Sequence, residues 1–98
     1  MKINQNREGD KLVVVVEGRL DTTTAIDFEK AFEETLVGVS DLVLDMNGLE
    51  YISSAGLRVL LKLQKRMLYQ GKMTLVGVNE NVMEVLEITG FLGILNVE

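Results

Sequence analysis

The sequence contains no cysteine, histidine, proline or tryptophan, and each absence excludes a type of structure or chemistry. Without histidine there is no imidazole base for a Ser-His-Asp triad and no imidazole ligand for a metal ion. Without cysteine there is no disulfide, no thiol nucleophile and no thiolate metal site. Without proline, the turns depend on glycine, asparagine, aspartate and serine. We therefore expect a protein that is not an enzyme and that carries no metal or cofactor.

The chain of 98 residues is too short for two well-packed cores, so we interpret residues 1–98 as one domain. Ten basic and fifteen acidic residues give a net charge of −5, which argues against nucleic-acid binding. The longest apolar run covers residues 12–16, far short of the roughly 18 residues of a membrane span. Residues 1–10 are polar and do not resemble a signal peptide. These features predict a cytoplasmic protein that does not insert into a membrane.

Apolar periodicity divides the chain into alternating strands and helices. We predict strands over residues 2–7, 12–16, 41–45, 73–78 and 94–97. Helices are predicted from residues 22–24 to about 37, from 53–54 to about 70, and from 79 to 89–90, with a polar bend over residues 46–50. This order is typical of an α/β fold: a single domain with a mixed, mostly parallel sheet of four to five strands and three to four helices.

The loops that follow parallel strands meet at the carboxyl edge of the sheet, where ligands usually bind. Here those loops contain residues 19–21, 45–47 and 77–79, and the turn at Ser53 and Ser54 belongs to the same edge. Asp21 and Asn47 are therefore predicted to lie beside Ser54. Each either shapes a docking edge or forms only a local turn or cap.

The serine turn has two interpretations. Ser53 or Ser54 could simply cap the second helix by accepting a backbone N–H bond. Alternatively, an exposed hydroxyl beside the small residues Ala55 and Gly56 is an accessible kinase substrate, and Gly56 would let a partner backbone come close. A helix N-terminus also tolerates the charge of an added phosphate.

The second helix carries an apolar stripe and a basic face. The residues predicted to face the sheet are Leu57, Leu60, Leu61 and Leu68. Val59 and Leu63 widen this arc, and they either fill space under a neighbouring element or form a partner-facing ridge. The basic residues Arg58, Lys62, Lys65 and Arg66 lie opposite. Arg58 is four residues from Ser54, within reach of a phosphate there.

Several motifs together resemble the STAS domain family of bacterial anti-sigma factor antagonists, which is also appended to sulfate transporters. They are Gly-Arg-Leu-Asp at residues 18–21, Leu-Asp at 44–45, Leu-Glu-Tyr-Ile-Ser-Ser-Ala-Gly-Leu-Arg-Val-Leu at 49–60, Leu-Val-Gly-Val-Asn at 75–79, and Val-Leu-Glu-Ile-Thr-Gly-Phe at 85–91. The family pattern at the turn is Asp-Ser-Ser/Thr-Gly-Leu, and its phosphorylated serine corresponds to Ser54. Two positions differ: Ser53 replaces the aspartate, which adds a possible second phosphosite, and Ala55 replaces the second hydroxyl residue.

The resemblance implies partner switching. The unphosphorylated protein would bind an anti-sigma factor that is also a serine kinase, and the sigma factor would be released. Phosphorylation of Ser54 would end binding, and a metal-dependent serine phosphatase would reverse it. The residues expected to bind the partner are Asp21, Asn47, Ser53, Gly56, Arg58 and Val59.

Two alternatives belong to other classes of function. The replaced aspartate leaves room for a constitutive, unphosphorylated STAS subunit of a transporter ATPase or a stress-signalling assembly. An enzyme or nucleotide-binding module is less favoured: edge carboxylates could hold Mg²⁺, but the chain has no glycine-rich phosphate loop of familiar spacing.

Overall fold

A five-stranded mixed sheet of order β1-β2-β3-β4-β5 forms the centre of the protein, whose computed structural model describes residues 1–98. The strands are β1 (Lys2–Glu8), β2 (Lys11–Leu20), β3 (Asp41–Ile52), β4 (Lys72–Val76) and β5 (Asn96–Val97). The helices are α1 (Ala25–Lys30), α2 (Ser54–Gln70) and α3 (Glu80–Ile88), with a 3-10 turn at Phe91–Gly93. β1 and β2 are antiparallel and every other pair is parallel, which confirms the predicted α/β class.

The two central strands supply much of the core through alternation. On β2, Leu12, Val14 and Val16 are buried, whereas the residues between them are half-exposed. β3 repeats this pattern from Leu42 to Met46. Such alternation is expected where one face of a sheet is packed and the other is more open. No helix of the chain is long and apolar enough to cross a membrane.

The first helix ends at Lys30, so its predicted extension to residue 37 is wrong. Residues 31–38 are instead a series of turns in which Phe32, Glu33 and Val37 each donate a backbone hydrogen bond to the residue three positions earlier. Phe28, Phe32 and Leu36, whose four-residue spacing favours a helix in the sequence, are nevertheless buried. Turns of about three residues place every third or fourth side chain inward, so they give nearly the same apolar pattern as an α-helix.

The polar bend predicted over residues 46–50 is also wrong, because β3 continues through it to Ile52. The register against β2 shifts between Val15 and Glu17, where β3 contains an additional residue. A bulge of this kind accommodates Asn47 and Gly48 within a strand without ending it. β3 therefore extends well past its last pairing with β4, at Asp45 and Val76.

The buried face of α2 differs in part from the prediction. Leu57 and Leu60 are buried as expected, but Leu68 is 70% exposed. Val59 and Leu63 are buried, so they fill internal space and do not form an exposed ridge. The buried arc is displaced because α2 packs against α1 as well as against the sheet.

Candidate functional site

The serine turn joins the end of β3 to the start of α2. The Ser53 backbone N–H donates to the Leu20 carbonyl at 2.9 Å, which ties this turn to the end of β2. The Ser53 hydroxyl oxygen is the N-cap and accepts from the Gly56 N–H at 3.4 Å. Ser54, the first residue of α2, is exposed and its hydroxyl forms no hydrogen bond within the chain. The two serines thus have different roles: one caps the helix and the other presents a free hydroxyl.

Asp21 organises the neighbouring turn between β2 and α1. Its Oδ1 accepts bonds from the Thr23 hydroxyl at 2.7 Å, from the Thr23 and Thr24 amides, and from the Thr24 hydroxyl. The Thr23 hydroxyl first, and then the Thr24 amide, lowers the pKa of Asp21 from 3.8 to about 2. Asp21 therefore provides a fixed negative charge next to the serine turn as well as a local cap.

A shallow groove of about 280 Å³ runs between the first two helices, next to Ser54. Its walls are Thr22, Ala25, Ile26 and Glu29 on one side and Ala55, Arg58, Val59 and Lys62 on the other. Ile26 is 58% exposed and adds apolar surface to this wall. The Lys62 Nζ and the Glu29 Oε1 lie 2.9 Å apart and bridge the two helices. The groove thus combines apolar surface with charge of both signs.

Three predicted site residues of α2 have different environments. Arg58 is exposed, and its Nε donates to the Ser54 carbonyl at 3.5 Å. Val59 is buried and contributes only to the groove wall. Gly56 is buried, and a Cβ there would lie 2.7 Å from the Leu20 Cγ. The prediction that Gly56 admits a partner backbone is wrong, because the close approach is made by the chain's own β2.

Asn47 does not lie beside Ser54, as was predicted. It is a strand residue of β3 whose Nδ2 donates to the Asp45 Oδ1 at 2.8 Å, and its side chain packs against Gly77. Ile52 lies five positions further along β3, which corresponds to a distance of roughly 16 Å. The bulged continuation of β3 is the reason, since it carries the serine turn away from the end of β4.

The structure also reveals an exposed pair that the sequence reasoning missed. The Arg19 guanidinium lies 4.2 Å from the centre of the Tyr51 ring, and the Arg19 Nε is 3.9 Å from the Asp21 Oδ2. Arg19 and Tyr51 are register partners on β2 and β3. Arginine and tyrosine are common in the energetic centres of protein interfaces. Two irregularities in the β2–β3 register hid this pairing, since sequence spacing alone does not place the two residues opposite each other.

Comparison with known proteins identifies the family. The chain belongs to the STAS domain family, whose model matches residues 2–98. It is 35% identical to BtrV of Bordetella bronchiseptica over 99% of this chain and 85% of that protein, whose name places it provisionally among the anti-sigma factor antagonists. The resemblance inferred from the motifs is therefore confirmed.

Solved structures with the same fold span nearly the whole chain. A Thermotoga maritima protein, named provisionally as an anti-sigma factor antagonist, superposes with a TM-score of 0.88 at 26% identity, over 97% of this chain and 84% of that one. The anti-sigma factor antagonist SpoIIAA in its unphosphorylated form superposes with a TM-score of 0.82 over 99% of this chain and 88% of that chain. At 15% identity, the second likeness concerns the fold alone.

Proposed function

We propose that this protein is an anti-sigma factor antagonist that works by partner switching. In the unphosphorylated form it binds an anti-sigma factor that is also a serine kinase, and the sigma factor is released. The kinase transfers a phosphoryl group to Ser54, which ends binding. A metal-dependent serine phosphatase hydrolyses the phosphate and restores the active form. The chain itself contributes a hydroxyl and a docking surface, and the ATP chemistry belongs to the kinase.

One observation carries this proposal: the Ser54 hydroxyl is exposed and forms no hydrogen bond within the chain. A kinase can position such a hydroxyl without first breaking a structural contact. The Ser53 hydroxyl is half-buried and caps α2 through Gly56. This difference favours Ser54 as the phosphoacceptor and leaves Ser53 as the second choice.

The groove beside Ser54 supports docking of the anti-sigma factor at the same place. The exposed Ile26 offers apolar contact, and Asp21 and Arg58 supply charges of opposite sign at the edge of the site. Ser53 contributes to the same docking edge through its fixed turn. A partner that covers this surface also covers Ser54, so a phosphate attached to Ser54 would lie inside the interface and oppose renewed docking.

The energetics of a phosphate suit a switch at this position. A phosphoserine adds about −1.5 to −2 charges at neutral pH. Only about 2.7 kcal/mol is needed to weaken a complex a hundredfold, and burying an unpaired phosphate costs several kcal/mol. Arg58, one turn along α2, can reach the phosphate and soften its charge in the free protein. Its pairing with the phosphate would also remove Arg58 from the docking surface.

The relatives are consistent with this proposal. BtrV, at 35% identity, carries the name of an anti-sigma factor antagonist. SpoIIAA, which shares the fold, has been described in both an unphosphorylated and a phosphorylated form.

The experiment that tests the proposal uses the protein isolated from its own cells with phosphatases inhibited. Intact mass followed by site mapping should detect a single phosphoryl group on Ser54 in a fraction that changes with growth conditions. Immobilised wild type and Ser54→Ala should capture the same serine kinase from cell extract, whereas Ser54→Asp should capture it about a hundredfold more weakly. Asn81→Asp, which adds one negative charge at an exposed position of α3, is the charge-matched control and should bind like the wild type.

Two results would contradict this scheme. Equal binding of all four forms would show that Ser54 does not control the complex. A stoichiometric assembly without a kinase, together with no phosphate under any condition, would favour the constitutive subunit described above. The replacement of the family aspartate by Ser53 makes that second outcome worth testing directly.

A further inference from the structure

Strand β1 forms one edge of the sheet and has no neighbour on its outer side. It pairs only with β2, over seven residues and without a register shift. The opposite edge is formed by β5, which is only two residues long. A long edge strand presents unpaired N–H and C=O groups to a further strand unless a proline, a bulge, short length or charged side chains prevent it. On β1 the charged side chains Lys2, Arg7 and Glu8 are the one such feature, and their order decides whether they repel a second strand. β5 is protected by its length, whereas β1 has neither a proline nor a bulge.

The charges of β1 lie in a self-complementary order. When a second copy of β1 is aligned antiparallel with Gln5 opposite Gln5, Lys2 of each copy stands opposite Glu8 of the other. Asn4 and Asn6 of the two copies then face each other across the same side of the sheet. Paired residues lie on one face because their numbers always differ by an even value, which matches the two-residue period of a strand. Opposite charges in directly facing positions stabilise such a pair, and like charges destabilise it.

Two long side chains of β1, Gln5 and Arg7, are bonded to the turns that follow α1. Gln5 donates from its Nε2 to the Ala31 carbonyl at 3.0 Å, and Arg7 donates from its Nη1 to the Val37 carbonyl at 2.9 Å. Val37 itself is 67% exposed, so apolar surface lies beside the free strand. Residues 1–11 contain three basic and two acidic side chains, and the acidic excess of the chain therefore lies elsewhere.

We propose that β1 docks on β1 of a second copy of this chain, in the register that pairs Lys2 with Glu8, to form a continuous ten-stranded sheet. The contact relates the two copies by a two-fold axis through the Gln5 pair. A single strand pair buries less area than the roughly 1,200 Å² of a stable interface, so the dimer forms reversibly at high protein concentration. β2 separates β1 from β3, so the serine turn at the end of β3 remains exposed in both copies.

Sedimentation velocity on the full chain measures this association. The wild-type mass should rise from 10.9 kDa toward twice that value between about 10 µM and about 1 mM. Lys2→Glu or Glu8→Lys alone places like charges opposite each other at both ends of the pair, and each should weaken the dimer about tenfold. When the two variants are mixed, the two acidic residues at positions 2 and 8 of one copy face the two lysines at positions 8 and 2 of the other. A heterodimer should then form about as strongly as the wild-type dimer.

The mixed sample also controls for effects inside one copy. Lys2 faces Glu17, and Glu8 faces Lys11, within the β1–β2 pair. A variant whose β1 had merely loosened would not recover on mixing, and its melting temperature would fall. Lys65→Glu and Glu84→Lys, both on exposed helix positions, are matched charge reversals that should leave dimerisation unchanged. A monomer at every concentration, or a dimer insensitive to reversal at Lys2 and Glu8, would overturn the proposal.

Discussion

Two turns meet at the carboxyl edge of the sheet, and they use their polar groups in opposite ways. In the turn after β2, one carboxylate oxygen of Asp21 accepts hydrogen bonds from the amides and hydroxyls of Thr23 and Thr24. In the turn after β3, Ser53 makes a single long capping bond and the Ser54 hydroxyl makes none. The two turns are joined by the bond from the Ser53 amide to the Leu20 carbonyl.

This difference suits the proposed switch, which needs one small edge that is rigid and also carries a modifiable hydroxyl. The Asp21 turn holds its shape and its negative charge, and in the proposed complex it would provide a constant part of the docking surface. The Ser54 hydroxyl is not needed to hold its own turn, so a phosphate there changes charge without removing a structural contact. A switch that alters binding but not folding requires this separation of roles.

The largest loss of stability is expected at Gly56, which packs against the last residues of β2 and β3. In Gly56→Ala, the new Cβ would lie 2.7 Å from the Leu20 Cγ and 2.9 Å from the Ile52 Cγ1. Overpacking of this kind should lower the free energy of unfolding by about 1–3 kcal/mol, even though alanine favours a helix over glycine. Urea unfolding measures this. Gly93→Ala, where a Cβ meets no atom within 4 Å, is the matched control. If Gly56→Ala were as stable as wild type, the two turns would not be in fixed contact.

A smaller effect is expected from Asp21→Asn, and it should depend on pH. The pKa of Asp21 is lowered in the fold from 3.8 to about 2, so the ionised form stabilises the protein above about pH 4, and this contribution is lost as pH falls toward 2. Asp21→Asn should lower the melting temperature by a few degrees at neutral pH, and the difference from wild type should shrink between about pH 4 and about pH 2.

Thermal unfolding across that pH range measures the effect, with the exposed Asp27→Asn in α1 as the control. A difference that stayed constant down to about pH 2 would show that the hydrogen bonds to Asp21 do not depend on its charge. A normal melting temperature combined with weaker partner binding would instead assign Asp21 to docking alone.

The sequence predicted a helix most accurately where residues that start and stop helices flank it. Helix α2 begins at Ser54 and ends at Gln70 as predicted, because Ser53 caps its start and Gly71 follows its end. The predicted length of the first helix was wrong for a physical reason. Phe28, Phe32 and Leu36 are all buried, and successive tight turns bury side chains at nearly the same spacing as an α-helix.

The candidate site was predictable only in part, because strand register is invisible in a single sequence. Asp21 and Ser54 were correctly assigned to one edge, since both follow directly after buried strands. Asn47 was assigned wrongly because a polar bulge and a polar bend have the same composition. The pairing of Arg19 with Tyr51 depends on two register irregularities that no local pattern reports.

The smallest effects should separate the two serines most clearly. Ser53→Ala removes the N-cap of α2 and should cost about 0.5–1 kcal/mol, at the low end of the usual range because its bond is long. Ser54→Ala removes an exposed hydroxyl without a partner and should stay within about 0.5 kcal/mol of wild type. In cells, Ser53→Ala should still acquire a phosphoryl group, whereas Ser54→Ala should not. Urea unfolding measures stability, and intact mass measures the phosphate. If Ser54→Ala lowered the stability and Ser53→Ala abolished the phosphate, the roles assigned to the two serines would be the wrong way round.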